Sequence, residues 1–355
     1  MDTSPEYILN RLLTGDTTQR LRGLAMELYF EKTIAVRIAS LTNAVSFSVG
    51  WLRGMLNAQT FYLKVVDQPL NASDIAYIKA VRSYRGLVVL IAPVFNCGRL
   101  SRYEIHPGFK FNEQEQRIGS WVCRNTSSAL SVQGGVSNDV ADLSNLFASL
   151  SREELLRVFH SRLVMNSAKI YGPTDIDGIF LTKEKELVVC EFKRKYPAVG
   201  YRPFLQKMLD AGDVEDRVIA VRANSFNPCE MVSSAQLNKP CFGLDLSHVQ
   251  TFFLAKKMGL KYFYFIVDSE DKNPANFFLT GFLTKTDTTV CFRELDPGDF
   301  SGLTNTDGLH NETGSEKRSQ SGSFHKGRRY QFVVEKSLFE KSLTLKAAPL
   351  RRLIN

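Results

Sequence analysis

Two carboxylates and one lysine stand at a spacing that suits the hydrolysis of a phosphate ester. They are Asp177, Glu191 and Lys193, within the segment GPTDIDGIFLTKEKELVVCEFKRK at residues 172–195. Residues two apart on a strand project to the same face, so Glu191 and Lys193 point together while Phe192 points to the other face. A hairpin that returns from Glu191 can bring Asp177 beside them. The sequence therefore predicts a local cluster of two carboxylates and one ammonium.

This cluster predicts a magnesium site. Carboxylate and carbonyl oxygens are hard ligands that suit Mg²⁺, which keeps several waters and completes its octahedron with phosphate oxygens. The expected ligands are Asp177, Glu191 and the backbone carbonyl of Phe192, and Mn²⁺ is expected to substitute. Lys193 is expected to orient the attacking water and to offset phosphate charge. The implied reaction is an in-line displacement at phosphorus.

The elements around these residues are those that would position them. The runs 176–181 and 186–192 are short and apolar, and the charged stretch LTKEKE joins them, which predicts a β-hairpin. Ser151 and Glu154 have capping-box spacing and predict a helix from about 151 to 167. The stretch SHVQTFFLAKKM, residues 247–258, predicts a helix closed by Gly259, and residues 261–267 predict a strand.

The rest of the chain is less regular. Residues 6–38 show helical spacing, and the β-branched run 86–94 predicts a buried strand. Residues 95–140 lack clear periodicity and are interpreted as strand and loop. Residues 296–326 are rich in Gly, Ser, Thr, Asn and charge, which predicts a long mobile loop, and an apolar pattern resumes at 330.

In this pattern the chain resembles the PD-(D/E)xK nuclease superfamily, to which most type II restriction endonucleases belong. Asp177 matches the first metal-binding acid, Glu191-Phe192-Lys193 matches E-x-K, and the helix from Ser151 matches the one before the hairpin. The resemblance covers about residues 150–268. It implies an α/β (α+β) fold with a mixed central sheet flanked by helices, extended by an N-terminal helical and strand region and a C-terminal extension.

The same resemblance suggests how the chain is divided. Residues 1–150 form an N-terminal region for DNA recognition or dimerisation, and residues 151–295 form the catalytic core. Residues 296–329 form a mobile basic loop or linker, and residues 330–355 form a C-terminal element.

Several residues remain alternatives or additions to the site. Asp175 competes with Asp177 for the first metal position, and Glu154 matches the acid that the preceding helix often contributes in this family. Arg194 and Lys195 are either phosphate contacts or a solvated strand end. Gln250 and His248 lie on the helix after the hairpin, which in this family can flank the active site. Gln250 is a candidate DNA contact, whereas an ordinary surface or capping role is favoured for His248 over contact with substrate.

Composition agrees with these expectations without specifying them. Forty-five Lys and Arg against 37 Asp and Glu give a formal charge of +8, which suits a polyanionic partner. The six cysteines show no zinc or redox spacing and are expected to be reduced. No signal peptide or membrane span is predicted, so a cytoplasmic, intracellular protein of a prokaryote is expected.

The function expected from the sequence is Mg²⁺-dependent cleavage of double-stranded DNA at a specific sequence, as a type II restriction endonuclease acting as a homodimer. One alternative is a repair, recombination or defence nuclease that recognises DNA structure or RNA. An alternative of another class is a non-catalytic nucleic-acid-binding protein on a nuclease fold.

Overall fold

The computed structural model describes residues 44–66, 69–96, 99–131, 171–195, 217–220, 229–233, 239–268, 287–300, 316–318, 324–326 and 330–346. The helices predicted at 6–38 and 151–167, and with them Glu154, lie outside these residues.

The first half of the described chain contains strands β1 (Ala44–Ser48), β2 (Trp51–Leu56) and β3 (Gln59–Val65), helix α1 (Ala72–Ser83), strands β4 (Leu87–Asn96) and β5 (Arg99–Ile105), helix α2 (Glu113–Ser131), and strands β6 (Tyr171–Ile176), β7 (Gly178–Thr182) and β8 (Leu187–Lys195). The second half contains β9 (Arg217–Ala220), β10 (Cys229–Ser233), β11 (Cys241–Asp245), helix α3 (Leu246–Lys257), β12 (Lys261–Asp268), β13 (Asp287–Glu294), β14 (Glu316–Arg318), β15 (Phe324–Lys326), β16 (Tyr330–Glu335) and β17 (Glu340–Lys346). Short 3₁₀ turns occupy Pro297–Phe300 and Lys336–Leu338.

The strands of the predicted hairpin lie in a six-stranded sheet with the order β1-β7-β8-β12-β13-β17. The pair β7–β8 is antiparallel, as predicted, whereas β8 and β12 run parallel. The pairs β1–β7, β12–β13 and β13–β17 are antiparallel. The sheet is therefore mixed, and the predicted α+β class is confirmed at this level.

A second, five-stranded sheet has the order β5-β4-β3-β2-β6. Its last strand, β6, is followed in the sequence by β7 of the six-stranded sheet. Ile176 at the end of β6 pairs with Trp51 in this sheet, and Gly178 at the start of β7 pairs with Cys190 in the six-stranded sheet. The chain thus passes from one sheet to the other at Asp177. In both sheets, strands that precede residue 150 pair with strands that follow it. The assignment of recognition or dimerisation to residues 1–150 and of catalysis to residues 151–295 stays a prediction.

A single apolar cluster connects the sheets to two of the helices. Its helical members include Tyr77, Ile78 and Val81 of α1, and Val249, Phe252 and Ala255 of α3, which are all buried. Helix α3 ends where Gly259 takes a φ of 78°, a conformation that favours glycine, as the sequence predicted. Packing of α3 in this cluster fixes the helix relative to the hairpin.

The interpretation of residues 95–140 as strand and loop was wrong for Glu113–Ser131, which form helix α2, whereas Arg99–Ile105 are a strand. The helix begins with a reciprocal cap: Asn112 Oδ1 accepts the N–H of Glu115, and Glu115 Oε2 accepts the N–H of Asn112. Over positions 113–126, where its side chains are described, the buried residues are Glu115, Ile118, Gly119, Val122 and Thr126. Among these buried residues only Ile118 and Val122 have large apolar side chains, so the sequence shows no clear apolar periodicity here.

The other predictions for secondary structure are confirmed with small shifts at their ends, for the strands at 86–94, 176–181, 186–192 and 261–267 and the helix at 247–258. Within 296–326 the structure describes the turn Pro297–Phe300 and the paired strands β14 and β15. In the part of the chain described above, no helix is both long and apolar enough to cross a membrane.

Candidate active site

The β7–β8 hairpin brings together the three residues that the sequence singled out. Gly178 pairs with Cys190 and Ile179 with Val189, so Asp177 lies just before β7 and beside the end of β8. There Asp177 Oδ2 accepts the backbone N–H of Phe192 at 2.7 Å. This bond fixes the first acid to the strand that carries Glu191 and Lys193.

Lys193 joins the two carboxylates. Its Nζ lies 3.6 Å from Asp177 Oδ2 and in direct contact with Glu191 Oε1. The two acids, which would repel each other alone, therefore share one cation. The predicted cluster of two carboxylates and one ammonium is present in the structure.

The cluster is buried on one side and open at the lysine. The side chains of Glu191 and Asp177 are 1% and 3% exposed, whereas that of Lys193 is 29% exposed. The alternation along β8 directs Phe192 to the other face, where its ring packs 5.5 Å from that of Phe265 and 6.2 Å from that of Phe47. A molecule in solvent therefore meets Lys193 first, with the carboxylates behind it.

A fourth side chain reaches the cluster from α3. Nδ1 of His248 lies 3.0 Å from Glu191 Oε2, and the histidine side chain is 12% exposed. This separation is within ion-pair distance, and so is the contact between Lys193 and Glu191 Oε1. The two oxygens of Glu191 thus face two different basic side chains.

These contacts decide the charge states of the cluster. Burial alone would raise the pKa of Glu191, but the charges of His248 and Lys193 outweigh it and lower that pKa below its ordinary value. Burial alone would lower the pKa of Lys193, but Asp177 and Glu191 hold it well above its ordinary value. Glu191 is therefore held as an ionised carboxylate beside the charged ammonium of Lys193.

Two tyrosines of β12 lie behind the carboxylates. Tyr264 stands opposite Glu191 in the parallel pair β8–β12, and its O–H donates to the Gly243 carbonyl at 2.8 Å. Burial, followed by the nearby Glu191, raises the pKa of Tyr262 well above its ordinary value. Both phenols are therefore neutral and form a low-polarity wall that strengthens the charge interactions in the cluster.

The donors fit a magnesium ion in chemistry. Magnesium is commonly bound through one or two carboxylates and several waters, and Glu191 Oε1 is a buried oxygen without a hydrogen bond. Within the described ranges, no group of three or more His, Cys, Asp or Glu side chains is arranged to hold a metal. The two carboxylates that would hold such an ion are those of Asp177 and Glu191, with the Phe192 carbonyl as the further predicted ligand.

The other residues predicted for the site lie on β6, at the end of β8 and on α3. Asp175 lies in β6, pairs with Leu52 in the five-stranded sheet and is half-buried, so the hydrogen bond of Asp177 to Phe192 favours Asp177 as the first acid. Arg194 and Lys195 end β8 and pair with Val267 and Asp268. Gln250 follows His248 by two positions on α3, about 200° around the helix. The DNA-binding roles of Arg194, Lys195 and Gln250 stay predictions.

His248 is the residue that sequence reasoning undervalued. Its interpretation as a surface or capping residue was wrong, because its side chain is mostly buried and directed at Glu191. A contact between residues 57 positions apart leaves no local spacing. The signal that could have found it is its place in the first turn of the helix that precedes β12, the strand paired with β8.

Comparison with known proteins adds no relative to this geometry. No family model matches the chain, no curated protein matches it, and no solved structure matches the fold.

Proposed function

We propose that the protein is a Mg²⁺-dependent nuclease that hydrolyses DNA phosphodiester bonds, with Asp177, Glu191 and Lys193 as its catalytic centre. The observation that carries the proposal is the cluster itself. One short hairpin presents two buried carboxylates and a partly exposed lysine between them. The ammonium of Lys193 lies 3.6 Å from Asp177 Oδ2 and in direct contact with Glu191 Oε1. The proposal includes a restriction-endonuclease-like fold around this cluster.

The arrangement of strands around the cluster supports this assignment. The strand with Glu191 and Lys193 is the second of an antiparallel hairpin, and its other neighbour is a parallel strand that follows α3. The superfamily pattern that the sequence resembles has such a hairpin in a mixed sheet. Within the nuclease class, we propose that the protein is a homodimer that cuts double-stranded DNA at a specific sequence, as type II restriction endonucleases do.

The chemistry follows from what each side chain can do. Asp177 and Glu191 would hold the metal, which when bound lowers the pKa of a water ligand and offsets charge on the phosphate. Lys193 is close enough to both carboxylates to stay charged and exposed enough to reach a phosphate. Its ammonium would orient the attacking water and stabilise negative charge as it grows in the transition state. The neutral wall of Tyr262 and Tyr264 excludes water from behind the acids.

The charge of the chain supports a polyanionic substrate. The formal charge is +8, and the predicted phosphate contacts Arg194 and Lys195 follow Lys193 directly. Affinity for DNA of unrelated sequence is therefore expected to fall steeply as salt rises.

One observation favours a second candidate, a nucleic-acid-binding protein without catalysis. The two acids are almost fully buried and already matched by Lys193 and His248, which is also the state of a purely structural ion cluster. In that case the protein would bind DNA without cutting it, and divalent ions would not change its behaviour.

A metal-dependence assay separates the two candidates. Supercoiled plasmid is incubated with the purified protein and Mg²⁺, Mn²⁺, Ca²⁺ or excess chelator, and the products are separated on a gel. The nuclease proposal predicts cutting with Mg²⁺ and Mn²⁺, binding with little cutting in Ca²⁺, and no cutting in chelator. Discrete fragments would indicate sequence specificity. Binding without cutting under all four conditions would support the second candidate, and cutting in excess chelator would exclude the two-carboxylate mechanism.

A further inference from the structure

The carboxylate of Glu191 is held from both sides. Oε1 contacts Lys193 Nζ, which in turn faces Asp177 Oδ2 at 3.6 Å, while Oε2 lies 3.0 Å from His248 Nδ1. Oε1 therefore belongs to the part of the cluster shared with Asp177, and Oε2 belongs to the contact with α3. Rotation of the carboxylate group would break both contacts.

His248 is itself firmly placed. It lies in the first turn of α3, whose neighbouring residues Leu246 and Val249 are 2% and 0% exposed. A capping role does not explain it, because the residue before the helix, Asp245, occupies the N-cap position. Its Nδ1 is a fully buried atom whose near neighbour is the carboxylate of Glu191.

From this geometry we infer that His248 is a positioning residue that holds Glu191 in the orientation needed to bind the metal. The inference rests on the proposed function and adds to it a residue from a distant part of the sequence. A carboxylate that ligates a metal binds it more tightly when a partner restrains its unused oxygen, because less conformational freedom is lost on binding. His248 supplies that restraint from a packed helix, and Lys193 cannot supply it, since it contacts the other oxygen.

A positioning role for His248 predicts which replacements of this residue are tolerated. Asparagine places its amide nitrogen at about the position of Nδ1, so His248→Asn can keep the contact with Oε2. His248→Leu fills similar space in the apolar surroundings of α3 but offers no polar atom. If His248 positions Glu191, metal affinity should fall strongly in the leucine variant and be largely kept in the asparagine variant.

The test is Mn²⁺ binding to the full chain, measured without DNA from the loss of the free-ion signal in electron paramagnetic resonance. The variants are His248→Leu, His248→Asn and Glu191→Gln, with Lys257→Leu as the matched control, because Lys257 is exposed at the other end of the same helix. Far-UV circular dichroism and thermal unfolding verify that each variant folds.

The expected result is an affinity about 10–100-fold weaker in His248→Leu, the usual effect of losing a partner of a metal ligand. His248→Asn should stay close to the wild type, Lys257→Leu should equal it, and Glu191→Gln should be at least as weak as His248→Leu. If Glu191→Gln loses binding while His248→Leu binds normally, the positioning role is refuted and the proposed function stands. If His248→Asn is as weak as His248→Leu, the contact through Nδ1 is refuted. If the wild type binds no Mn²⁺, both proposals are refuted.

Discussion

Asp177 Oδ2 accepts the backbone N–H of Phe192 at 2.7 Å, across the hairpin from the strand that carries Glu191 and Lys193. The acid is 3% exposed, so this bond satisfies a donor that water cannot easily reach. Asp177 therefore has two roles that can be separated by experiment. Its oxygen supports the hairpin, and its negative charge faces the cation of Lys193.

Comparison of Asp177→Ala with Asp177→Asn should separate these roles. Alanine leaves the N–H of Phe192 without an acceptor and should lower the free energy of unfolding by about 1–3 kcal/mol. Asparagine keeps a carbonyl oxygen and should cost less. Chemical denaturation monitored by circular dichroism measures both values. Equal destabilisation by the two variants would show that the charge, and not the hydrogen bond, is the stabilising feature.

Lys193→Met should convert the cluster into a site that depends on an added cation for stability. Removing the ammonium leaves two buried carboxylates without their shared partner. The free energy of unfolding should fall by about 3 kcal/mol, which is the lower end for a broken buried ion pair, because the side chain of Lys193 is 29% exposed. A divalent cation that binds only the folded state then restores stability by mass action. Thermal unfolding with and without Mg²⁺ should show a larger rise in Tm for Lys193→Met than for the wild type.

The control for this measurement is the double variant Glu191→Gln with Lys193→Met. It lacks one of the two acids and should show a smaller rise in Tm with Mg²⁺ than Lys193→Met alone. Equal responses of the wild type and Lys193→Met would indicate that the carboxylates do not bind the ion.

The core of the candidate site could be predicted because it is local. Asp177, Glu191 and Lys193 lie within 17 residues, on two strands joined by a short turn, so strand alternation and hairpin return were enough to place them together. His248 could not be placed in the same way. Its contact with Glu191 depends on how α3 packs against the sheet, and helical periodicity does not carry that information.

The fold shows the same division between local and distant information. Apolar runs predicted β4, β7, β8, β12 and α3, whereas the sheet order depends on pairings across most of the chain, such as β1 with β7 and β10 with β16. Helix α2 is the exception, a local element that was missed. Its Asn112–Glu115 cap is a sequence signal, but the apolar stripe behind it is narrow.

Glu115 should be a strong stabilising residue that has no part in catalysis. It is 1% exposed and accepts from the N–H groups of Val88 and Asn112 and from the guanidinium of Arg82. Glu115→Ala leaves these donors unmatched and should cost about 3–5 kcal/mol, whereas Asn112→Ala removes one cap and should cost about 1 kcal/mol. Urea unfolding measures both. A loss for Glu115→Ala no larger than that for Asn112→Ala would contradict the role of the network.

Replacing residues 301–326 by a short Gly-Ser linker should leave the fold intact. The strands β14 and β15 in this segment pair with each other in a two-stranded sheet. They belong neither to the six-stranded and five-stranded sheets nor to the four-stranded sheet with the order β11-β16-β10-β9. The Tm should therefore change by no more than about 2 °C. Phe332→Ala is the contrasting variant, since Phe332 is 4% exposed and its loss should cost about 3–5 kcal/mol. A replacement that destabilises the protein as much as Phe332→Ala would show that the segment is structural.

The most direct test of the nuclease assignment compares DNA cleavage and DNA binding in near-isosteric variants of the cluster. Asp177→Asn, Glu191→Gln and Lys193→Met are assayed on supercoiled plasmid with Mg²⁺, and their DNA affinity is measured with Ca²⁺. Asp175→Asn is the control, because Asp175 is the neighbouring acid on β6 and pairs in the other sheet. Each cluster variant is expected to lose cleavage by at least about 100-fold while DNA binding is kept, since these groups act on charge that develops in the transition state. Asp175→Asn should cut normally. Normal cutting by all three cluster variants would contradict the nuclease assignment. Loss of cutting in Asp175→Asn with normal cutting in Asp177→Asn would show that the first acid is Asp175.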